Sequence, residues 1–417
     1  MQDPKSIDIA DFDYDLPDGR IARYPLSERD QAKLLCYREG SISDRQFVNL
    51  PELLPEGSML IANRTRVIHA RLRFQLSNER WIEIFCLEPL NPVDHQLSLS
   101  SRKPVRWACM IGGNRRWKSG QTTMHIERPD QAPIDLHIER IQRLEGGSFS
   151  VDFRWSDTSL SWGEVLMLIG QIPLPPYLGR DAEASDRDRY QTVFAKQEGS
   201  VAAPTAGLHF TPRVLEQLKA KNCLWTELVL HVGAGTFKPV SSDTLAGHEM
   251  HREYIELSIE TLRQIHHQLQ GEKPIICVGT TSLRSLESCY HLGRLACAGQ
   301  LKIEDQEENP VVKLGQWTAI EASLPKLTPV DAIAHLIGFV EQHEMDMLRA
   351  HTQLIITPGI PPVIADGIIT NFHQPRSTLL LIIAAMTGGH WKNIYQHALE
   401  SDYRFLSYGD SSLLWKS

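Results

Sequence analysis

The stretch Ile275-Ile-Cys-Val-Gly-Thr-Thr-Ser-Leu-Arg-Ser-Leu-Glu287 decides the fold class, because it predicts a strand, a tight turn and a helix in direct succession. Its first four residues are an apolar run of strand length, and residues 283–289 follow as a helix pattern. A strand leading directly into a helix is the repeating unit of α/β folds. The turn, residues 279–282, offers free backbone N–H groups and hydroxyls, which suit an anionic group such as a carboxylate. Ordinary helix capping by the same hydroxyls is an equally good explanation.

Strand and helix patterns alternate from about residue 155 onward. Thr211 followed by Pro212 places a capping hydroxyl before a proline at the first helical position. Such alternation predicts an α/β domain. The predicted elements are a helix from Thr211, a strand over residues 225–232, a helix from Thr328, strands over residues 354–356 and 367–370, and a helix over residues 377–386.

Between about Met59 and Phe153 the chain instead shows short strand patterns separated by turn residues. Consecutive strands without intervening helices are typical of a small barrel or sandwich. We therefore predict a large α/β domain, residues 1–62 and 155–417, into which a small antiparallel β-barrel domain is inserted at residues 63–154. The strand patterns cover residues 59–62, 67–76, 81–87, 105–111, 134–138 and 149–153.

The charge balance restricts the function. The net charge of −8 over 417 residues excludes a basic coat for nucleic acid along the whole chain. Residues 51–120, however, carry 11 Lys and Arg against six acids, a local net charge of +5. A basic β module of this kind suits contact with RNA phosphates, although a solvated strand surface explains the same charges.

No targeting or membrane segment is predicted. Residues 1–15 contain five acids and no apolar run, and residues 379–386 are far too few for the roughly 20 needed to span a bilayer. We expect a soluble, cytoplasmic protein, and a monomer because no long exposed apolar stripe is evident. The seven cysteines form no Cys-x-x-Cys pair, which disfavours a disulfide framework or a thiolate zinc site.

Several segments carry more polar chemistry than packing requires. Small residues over 200–207 let the backbone approach a ligand, and His209 directly precedes a predicted helix. His231 precedes a Gly-x-Gly turn, which alone is weak support for a nucleotide site. The run from His248 to Glu253 lacks the His-Glu-x-x-His spacing of a zinc site and favours a polar binding wall or structural network. Two further segments cluster polar and aromatic groups, residues 370–378 and 403–410.

In this order, the segments resemble the S-adenosylmethionine:tRNA ribosyltransferase-isomerases of queuosine biosynthesis, the QueA family. The most specific runs are Ala202-Ala-Pro-Thr-Ala-Gly-Leu-His-Phe210 and His231-Val-Gly-Ala-Gly-Thr-Phe237. The resemblance covers the chain nearly end to end. Further matching runs are residues 13–17, 63–72, 172–177, 189–193, 248–253, 279–287, 370–378 and 403–410.

The resemblance implies a reaction as well as a fold of one α/β domain with an inserted β-barrel. The ribosyl moiety of S-adenosylmethionine is transferred and isomerised onto the aminomethyl group of 7-aminomethyl-7-deazaguanine in tRNA. Epoxyqueuosine in tRNA forms, and adenine and methionine leave. The partners implied are that tRNA and S-adenosylmethionine as co-substrate, with no other cofactor, no metal and no membrane.

The resemblance also suggests roles for individual residues. The catalytic candidates are His209, His231 and Asp410. The S-adenosylmethionine-binding candidates are Thr205, Gly233, Gly235, Glu253, Thr280, Thr281, Arg284, Asn371, Phe372 and His373. The tRNA-binding candidates are Arg64, Arg66, Arg71, Arg189, Tyr190, Arg404 and Tyr408.

Three departures from the family pattern keep alternatives open. Gln374 stands where the family usually has Leu, Phe194 stands where it usually has Tyr, and residues 290–354 form a longer segment than expected. The alternatives are an S-adenosylmethionine-dependent paralogue with a different acceptor and a catalytically silent RNA-binding relative.

Overall fold

The protein is described by a computed structural model over residues 3–76, 80–114, 117, 120–129, 131–144, 147–232, 242–304 and 310–417. These residues form an eleven-stranded mixed sheet, a six-stranded sheet and a two-stranded parallel pair. In chain order the strands are β1 (Lys33–Arg38), β2 (Ser41–Gln46), β3 (Met59–Asn63), β4 (Thr65–Val67), β5 (Arg71–Gln75), β6 (Trp81–Asn91), β7 (Val105–Gly112), β8 (Gly120–Arg128), β9 (Gln131–Arg143), β10 (Phe149–Trp155), β11 (Gln197–Ser200), β12 (Leu224–His231), β13 (Glu253–Ser258), β14 (Ile275–Val278), β15 (Ile303–Glu304), β16 (Val311–Leu314), β17 (Met347–Thr352), β18 (Gly367–Asn371) and β19 (Ser411–Trp415). The α-helices are α1 (Leu50–Leu53), α2 (His95–Ser100), α3 (Trp162–Ile169), α4 (Asp186–Arg189), α5 (Pro212–Ala220), α6 (Ile259–Gln270), α7 (Thr280–Cys297), α8 (Pro329–Gln342), α9 (Thr378–Met386) and α10 (Trp391–Glu400).

The large sheet has the strand order β15-β16-β17-β13-β12-β3-β14-β18-β19-β1-β2. Its four central strands, β12, β3, β14 and β18, all run parallel to one another. Every residue of β3 and β14 is buried, as expected for parallel strands covered on both faces. Because these strands are parallel, their carboxyl ends lie at one edge of the sheet.

The six-stranded sheet is antiparallel and barrel-like, with the order β5-β6-β7-β10-β9-β8. Its strands bury one continuous apolar cluster that includes Trp107 and Phe153 and extends to Trp162 on α3. The predicted fold class, a large α/β domain with a small antiparallel barrel, is confirmed. The strands of this sheet run from Arg71 to Trp155; the domain limits at residues 63 and 154 stay a prediction.

The helix starts follow the capping signals in the sequence. Thr211 caps α5 by accepting a hydrogen bond from the N–H of Val214 at 3.4 Å, and Thr328 caps α8 in the same way from Asp331 at 3.1 Å. Gly279 joins β14 to α7 with a φ of 88°, a value that favours glycine. The predicted strand–turn–helix unit is therefore confirmed, and its helix is longer than predicted.

Two strand predictions need correction. The strand predicted over residues 354–356 is wrong, because the strand in this region is β17, and residues 354–356 are buried without strand structure. In β17 buried residues alternate with partly exposed ones such as Arg349 and His351, so no apolar run marks the strand. The strand β8 is absent from the prediction, since Ile126 is its one buried residue.

Over the described ranges, no helix combines the length and apolarity that crossing a bilayer requires.

Candidate active site

A cleft of about 870 Å³ lies at the carboxyl ends of the central parallel strands. Val232 follows β12, Gly279 follows β14 and Phe372 follows β18, and all three line the cleft. Open α/β sheets bind their ligands in the crevice at this edge. The topology therefore brings together segments that lie up to 230 residues apart in the chain. The full described lining is Tyr177, Tyr190, residues 202–206, Val232, residues 279–281, residues 370–374, residues 377–379, Leu406 and Ser407.

Two helix N-termini reach the cleft. The 18-residue helix α7 begins at Thr280, and α9 begins at Thr378 after its cap Ser377. The positive ends of helix dipoles and their free N–H groups favour an anion. The hydroxyl of Thr281 is buried and has no hydrogen-bond partner among the residues described, so it is available to a ligand.

Asn371 is held rigidly in the wall of the cleft. Its amide nitrogen donates hydrogen bonds to the carbonyl oxygens of Leu406 at 2.8 Å and Ser407 at 3.2 Å. Because both donors are used in this way, the amide oxygen Oδ1 faces Nε2 of His209, 3.3 Å away. Asn371 thus separates the imidazole of His209 from the cleft.

His209 lies behind the wall of the cleft. Its ring is buried against Phe47, with 5.1 Å between ring centroids. Burial lowers the pKa of His209 to about 4, although Asp410 and the hydrogen bond to Asn371 act in the opposite direction. His209 can therefore influence a ligand in the cleft only through Asn371, and its predicted catalytic role stays a prediction.

His231 points away from the cleft. Its ring stacks on that of His95, with centroids 4.0 Å apart and planes 4° apart. Burial lowers the pKa of His231 to about 4. Gly199, with a φ of 137°, leaves room for this ring, since a Cβ there would lie 2.6 Å from it. These contacts give His231 a packing role, and no signal in the sequence identifies His95 as its partner.

Three other residues that the sequence places in the site make contacts with other residues of the protein instead of lining the cleft. Nη1 of Arg284 lies 2.7 Å from Oε2 of Glu253, and both side chains are buried outside the described lining of the cleft. The carboxylate of Asp410 accepts hydrogen bonds from the backbone N–H groups of Lys33 at 3.1 Å and Arg404 at 2.8 Å. Asp410 therefore fixes a turn and does not face the cleft.

His373 is the imidazole in the described lining of the cleft. Its Nε2 lies 3.0 Å from the hydroxyl of Thr370, which fixes the ring, and burial lowers its pKa to about 3. Phe372 contributes to the same wall, but its own ring packs on Tyr395 and Phe405. The predicted S-adenosylmethionine-binding residues that the structure brings into the cleft are Thr205, Thr280, Thr281, Asn371, Phe372 and His373.

Gly233 and Gly235 lie outside the described residues, and their predicted contact with S-adenosylmethionine stays a prediction.

The residues that the sequence analysis missed in the cleft include Tyr177 and Ser407, whose side-chain oxygens lie 2.6 Å apart. Neither residue type marks a site on its own, and 229 residues lie between them, so no local pattern links them.

The seven predicted tRNA contacts do not form one surface. Tyr190 is buried and lines the cleft, and Tyr408 is buried with its hydroxyl donating to Asp186 at 2.7 Å. Arg71 pairs with Glu83. Two of the other arginines are paired with carboxylates: Arg64 lies 3.8 Å from Glu227, and Arg404 lies 3.1 Å from Asp410. Arg189 donates a hydrogen bond to the carbonyl of Ser27 at 3.1 Å. Arg66 lines a separate cavity of about 700 Å³.

No group of three or more His, Cys, Asp or Glu side chains in the described part of the chain is arranged to hold a metal ion. Fold and cleft together define an α/β protein with a ligand site at the carboxyl edge of its central sheet.

A family model described as queuosine biosynthesis protein matches residues 9–414. The S-adenosylmethionine:tRNA ribosyltransferase-isomerase of Magnetococcus marinus is 34% identical over 408 residues, which cover 98% of this chain and 94% of that protein. The protein of the same name from Caulobacter vibrioides is 36% identical over 417 residues, with 98% of each chain covered. The chain belongs to the queuosine biosynthesis family, and the resemblance found in the sequence is confirmed.

Among solved structures, the S-adenosylmethionine tRNA ribosyltransferase of Thermotoga maritima is similar, with 24% identity and a TM-score of 0.45. The match covers 96% of this chain and 99% of that one.

Proposed function

We propose that the protein transfers and isomerises the ribosyl moiety of S-adenosylmethionine onto the aminomethyl group of 7-aminomethyl-7-deazaguanine in tRNA. Adenine and methionine are released, and epoxyqueuosine in tRNA is the product. The proposal rests on one observation. In a chain of this family, a cleft lies at the carboxyl ends of four parallel strands, and the N-termini of two helices contribute to its lining. The reaction takes place where tRNA is made and modified, in the cytoplasm.

The methionine carboxylate of S-adenosylmethionine binds at the N-terminus of α7. Thr280 and Thr281 line the cleft there, and the unpartnered hydroxyl of Thr281 donates to the carboxylate. A hydrogen bond to a charged group is worth about 1.5–3 kcal/mol. The free N–H groups of the first helical turn add to this attraction.

The nucleoside part lies along the small-residue wall. Residues 202–206 carry short side chains, so a ligand can approach their backbone closely. No acidic residue is present in the described lining, so the positive sulfonium is met by the aromatic ring of Tyr177, which is partly exposed. Aromatic faces attract cations in this way.

Proton transfer requires a base inside the cleft, because the sulfonium acidifies the neighbouring C5′–H. We assign this role to His373, because it is the imidazole of the described lining and is held by Thr370; burial keeps it neutral at pH 7 and, by lowering its pKa to about 3, also makes it a weak base. His209 positions Asn371 from behind the wall. Arg64 and Arg66 are half-buried to exposed and provide sites for tRNA phosphates.

The test is release of adenine from S-adenosylmethionine labelled in the adenine ring, with and without tRNA that carries 7-aminomethyl-7-deazaguanine. Release that depends on this tRNA supports the proposal. Release that requires a different acceptor identifies a paralogue with another substrate. Retained binding of the tRNA without any release identifies a silent RNA-binding relative.

A substitution at the carboxylate site sharpens this test. Thr281→Val keeps the shape and removes the hydroxyl, so the affinity for S-adenosylmethionine should fall about tenfold or more, as measured by calorimetry. Thr158→Val is the matched control, because Thr158 is exposed in a turn after the six-stranded sheet. Equal affinities for the two variants would remove Thr281 from the carboxylate site.

A further inference from the structure

A second hollow of about 300 Å³ lies beside the cleft and is rimmed by arginines. Three arginines contribute to its lining, Arg29, Arg189 and Arg404, together with His209 and Tyr408. No acidic residue is among the described residues of its lining. Three cations around one small hollow favour an anionic ligand.

The hollow and the cleft share a wall. Ser407 lines both, and His209 in the hollow faces Asn371 in the cleft at 3.3 Å. The hollow and the cleft are therefore neighbours, separated by Ser407 and Asn371.

The positive charge of the hollow is only partly balanced. The guanidinium of Arg29 donates to the backbone carbonyls of Gln191 at 2.5 Å and Asp188 at 2.7 Å, and Arg189 donates to the carbonyl of Ser27 at 3.1 Å. Carbonyl oxygens fix these side chains without neutralising them.

Two carboxylates act on these cations. The Asp410 carboxylate lies 3.1 Å from the guanidinium of Arg404, and the side chain of Asp188, which is exposed, acts weakly on Arg29. Burial and, after it, the neighbouring Arg189 lower the pKa of Arg29, while Tyr408 and Asp188 act in the opposite direction.

We infer that this hollow binds a backbone phosphate of the tRNA next to the nucleotide whose base enters the cleft. The inference rests on the proposed function, because an enzyme that modifies a base must take that base into its pocket. The backbone then stays at the mouth of the pocket, where a phosphate meets the guanidinium groups. Arginine suits this contact because its planar fork matches phosphate oxygens.

The first test compares Arg29→Gln with Arg263→Gln. Arg263 is an exposed residue of α6 that pairs with Glu341, so its variant loses the same charge far from the hollow. Binding of an anticodon stem-loop RNA carrying 7-aminomethyl-7-deazaguanine is measured over a range of salt concentrations. Arg29→Gln should weaken binding about tenfold and reduce the slope of log K against log salt by about one, while the control changes neither.

The affinity for S-adenosylmethionine distinguishes between two anions that could occupy the hollow, an RNA phosphate and the methionine carboxylate. Unchanged affinity for it in Arg29→Gln supports the RNA phosphate. A loss confined to S-adenosylmethionine would overturn the inference and assign the hollow to the methionine carboxylate. Unchanged affinity for both ligands would overturn it as well.

The second test leaves the protein unaltered, because Arg29 also holds two backbone carbonyls and its loss affects local structure. Methylphosphonate replaces single phosphates flanking the modified base in the stem-loop RNA. One such neutral linkage should cost about tenfold in affinity with the unaltered protein and much less with Arg29→Gln, which is the coupling expected of contacting groups. Equal losses with both proteins would refute the contact, and since binding needs no turnover, the result is independent of the adenine-release assay.

Discussion

At the residue scale, two buried histidines with lowered pKa values, His373 and His231, have different surroundings. We therefore expect their replacement by alanine to have different effects. His373→Ala should reduce the rate of adenine release by the folded variant at least 100-fold, because the ring lines the cleft, and it should also lower the unfolding temperature, because the ring is buried and bonded to Thr370. His231→Ala should mainly lower the unfolding temperature, because its ring is stacked on His95. Single-turnover assays and thermal unfolding of both variants check this contrast, and the reverse pattern would return the catalytic role to His231.

The buried pair of Arg284 and Glu253 gives a second prediction at this scale. Removal of one partner from a buried ion pair typically costs 3–5 kcal/mol, because the other charge stays buried without it. Arg284→Met should therefore lower the free energy of unfolding by that amount in urea titrations. The double variant with Glu253→Gln should recover most of the loss. If Arg284→Met instead leaves stability intact and abolishes binding of S-adenosylmethionine, the original site assignment is restored.

At the element scale, the turn between β14 and α7 aims the helix at the cleft. Gly279→Ala should cost about 1–2 kcal/mol, because the residue has a φ of 88°. It should also weaken binding of S-adenosylmethionine, since the first turn of α7 would shift. Gly338→Ala is the control within α8, where a Cβ meets nothing within 4 Å and an alanine should stabilise the helix by up to about 1 kcal/mol. Equal effects of the two variants on binding would contradict the prediction.

The elements that the sequence predicts well are those with a local signal. Thr211-Pro212 and Thr328-Pro329 determine their helix starts through the capping hydroxyl, and both helices form as predicted. β17 was missed because its outward positions carry Arg349 and His351, so burial alternates without an apolar run. The burial that decides such a strand comes from its neighbours β13 and β16 in the sheet, which no short window of sequence contains.

At the scale of the whole molecule, the buried histidines predict acid sensitivity. Burial lowers the pKa of His209 and His231 to about 4 and that of His291 and His373 to about 3. Between pH 6.5 and 4 the unfolded chain binds protons at these positions and the folded chain does not, so stability present above pH 6.5 is lost as the pH falls. Each histidine contributes up to about 1.4 kcal/mol per pH unit. Urea midpoints should therefore fall steadily from pH 7 to 5, and a flat profile would contradict these pKa values.

The candidate site was predictable in part. Thr280, Thr281 and Asn371 follow strands directly, and the parallel order of β14 and β18 brings them to one edge. His209 and His231 have the same type of sequence context, beside small-residue turns, yet their rings point elsewhere. Side-chain direction depends on partners such as His95, which lies 136 residues from His231 in the chain, and the sequence does not pair them.

The position of β19 in the large sheet has a consequence for biosynthesis. Ser411–Trp415 lies between β1 and β18, and β1 pairs otherwise only with β2 in the described sheet. A nascent chain that has not yet released residues 411–415 from the ribosome therefore cannot attach the early β1–β2 hairpin to the rest of the sheet. The six-stranded sheet has all its strands once Trp155 has emerged, so this barrel-like sheet can form long before the large sheet is complete.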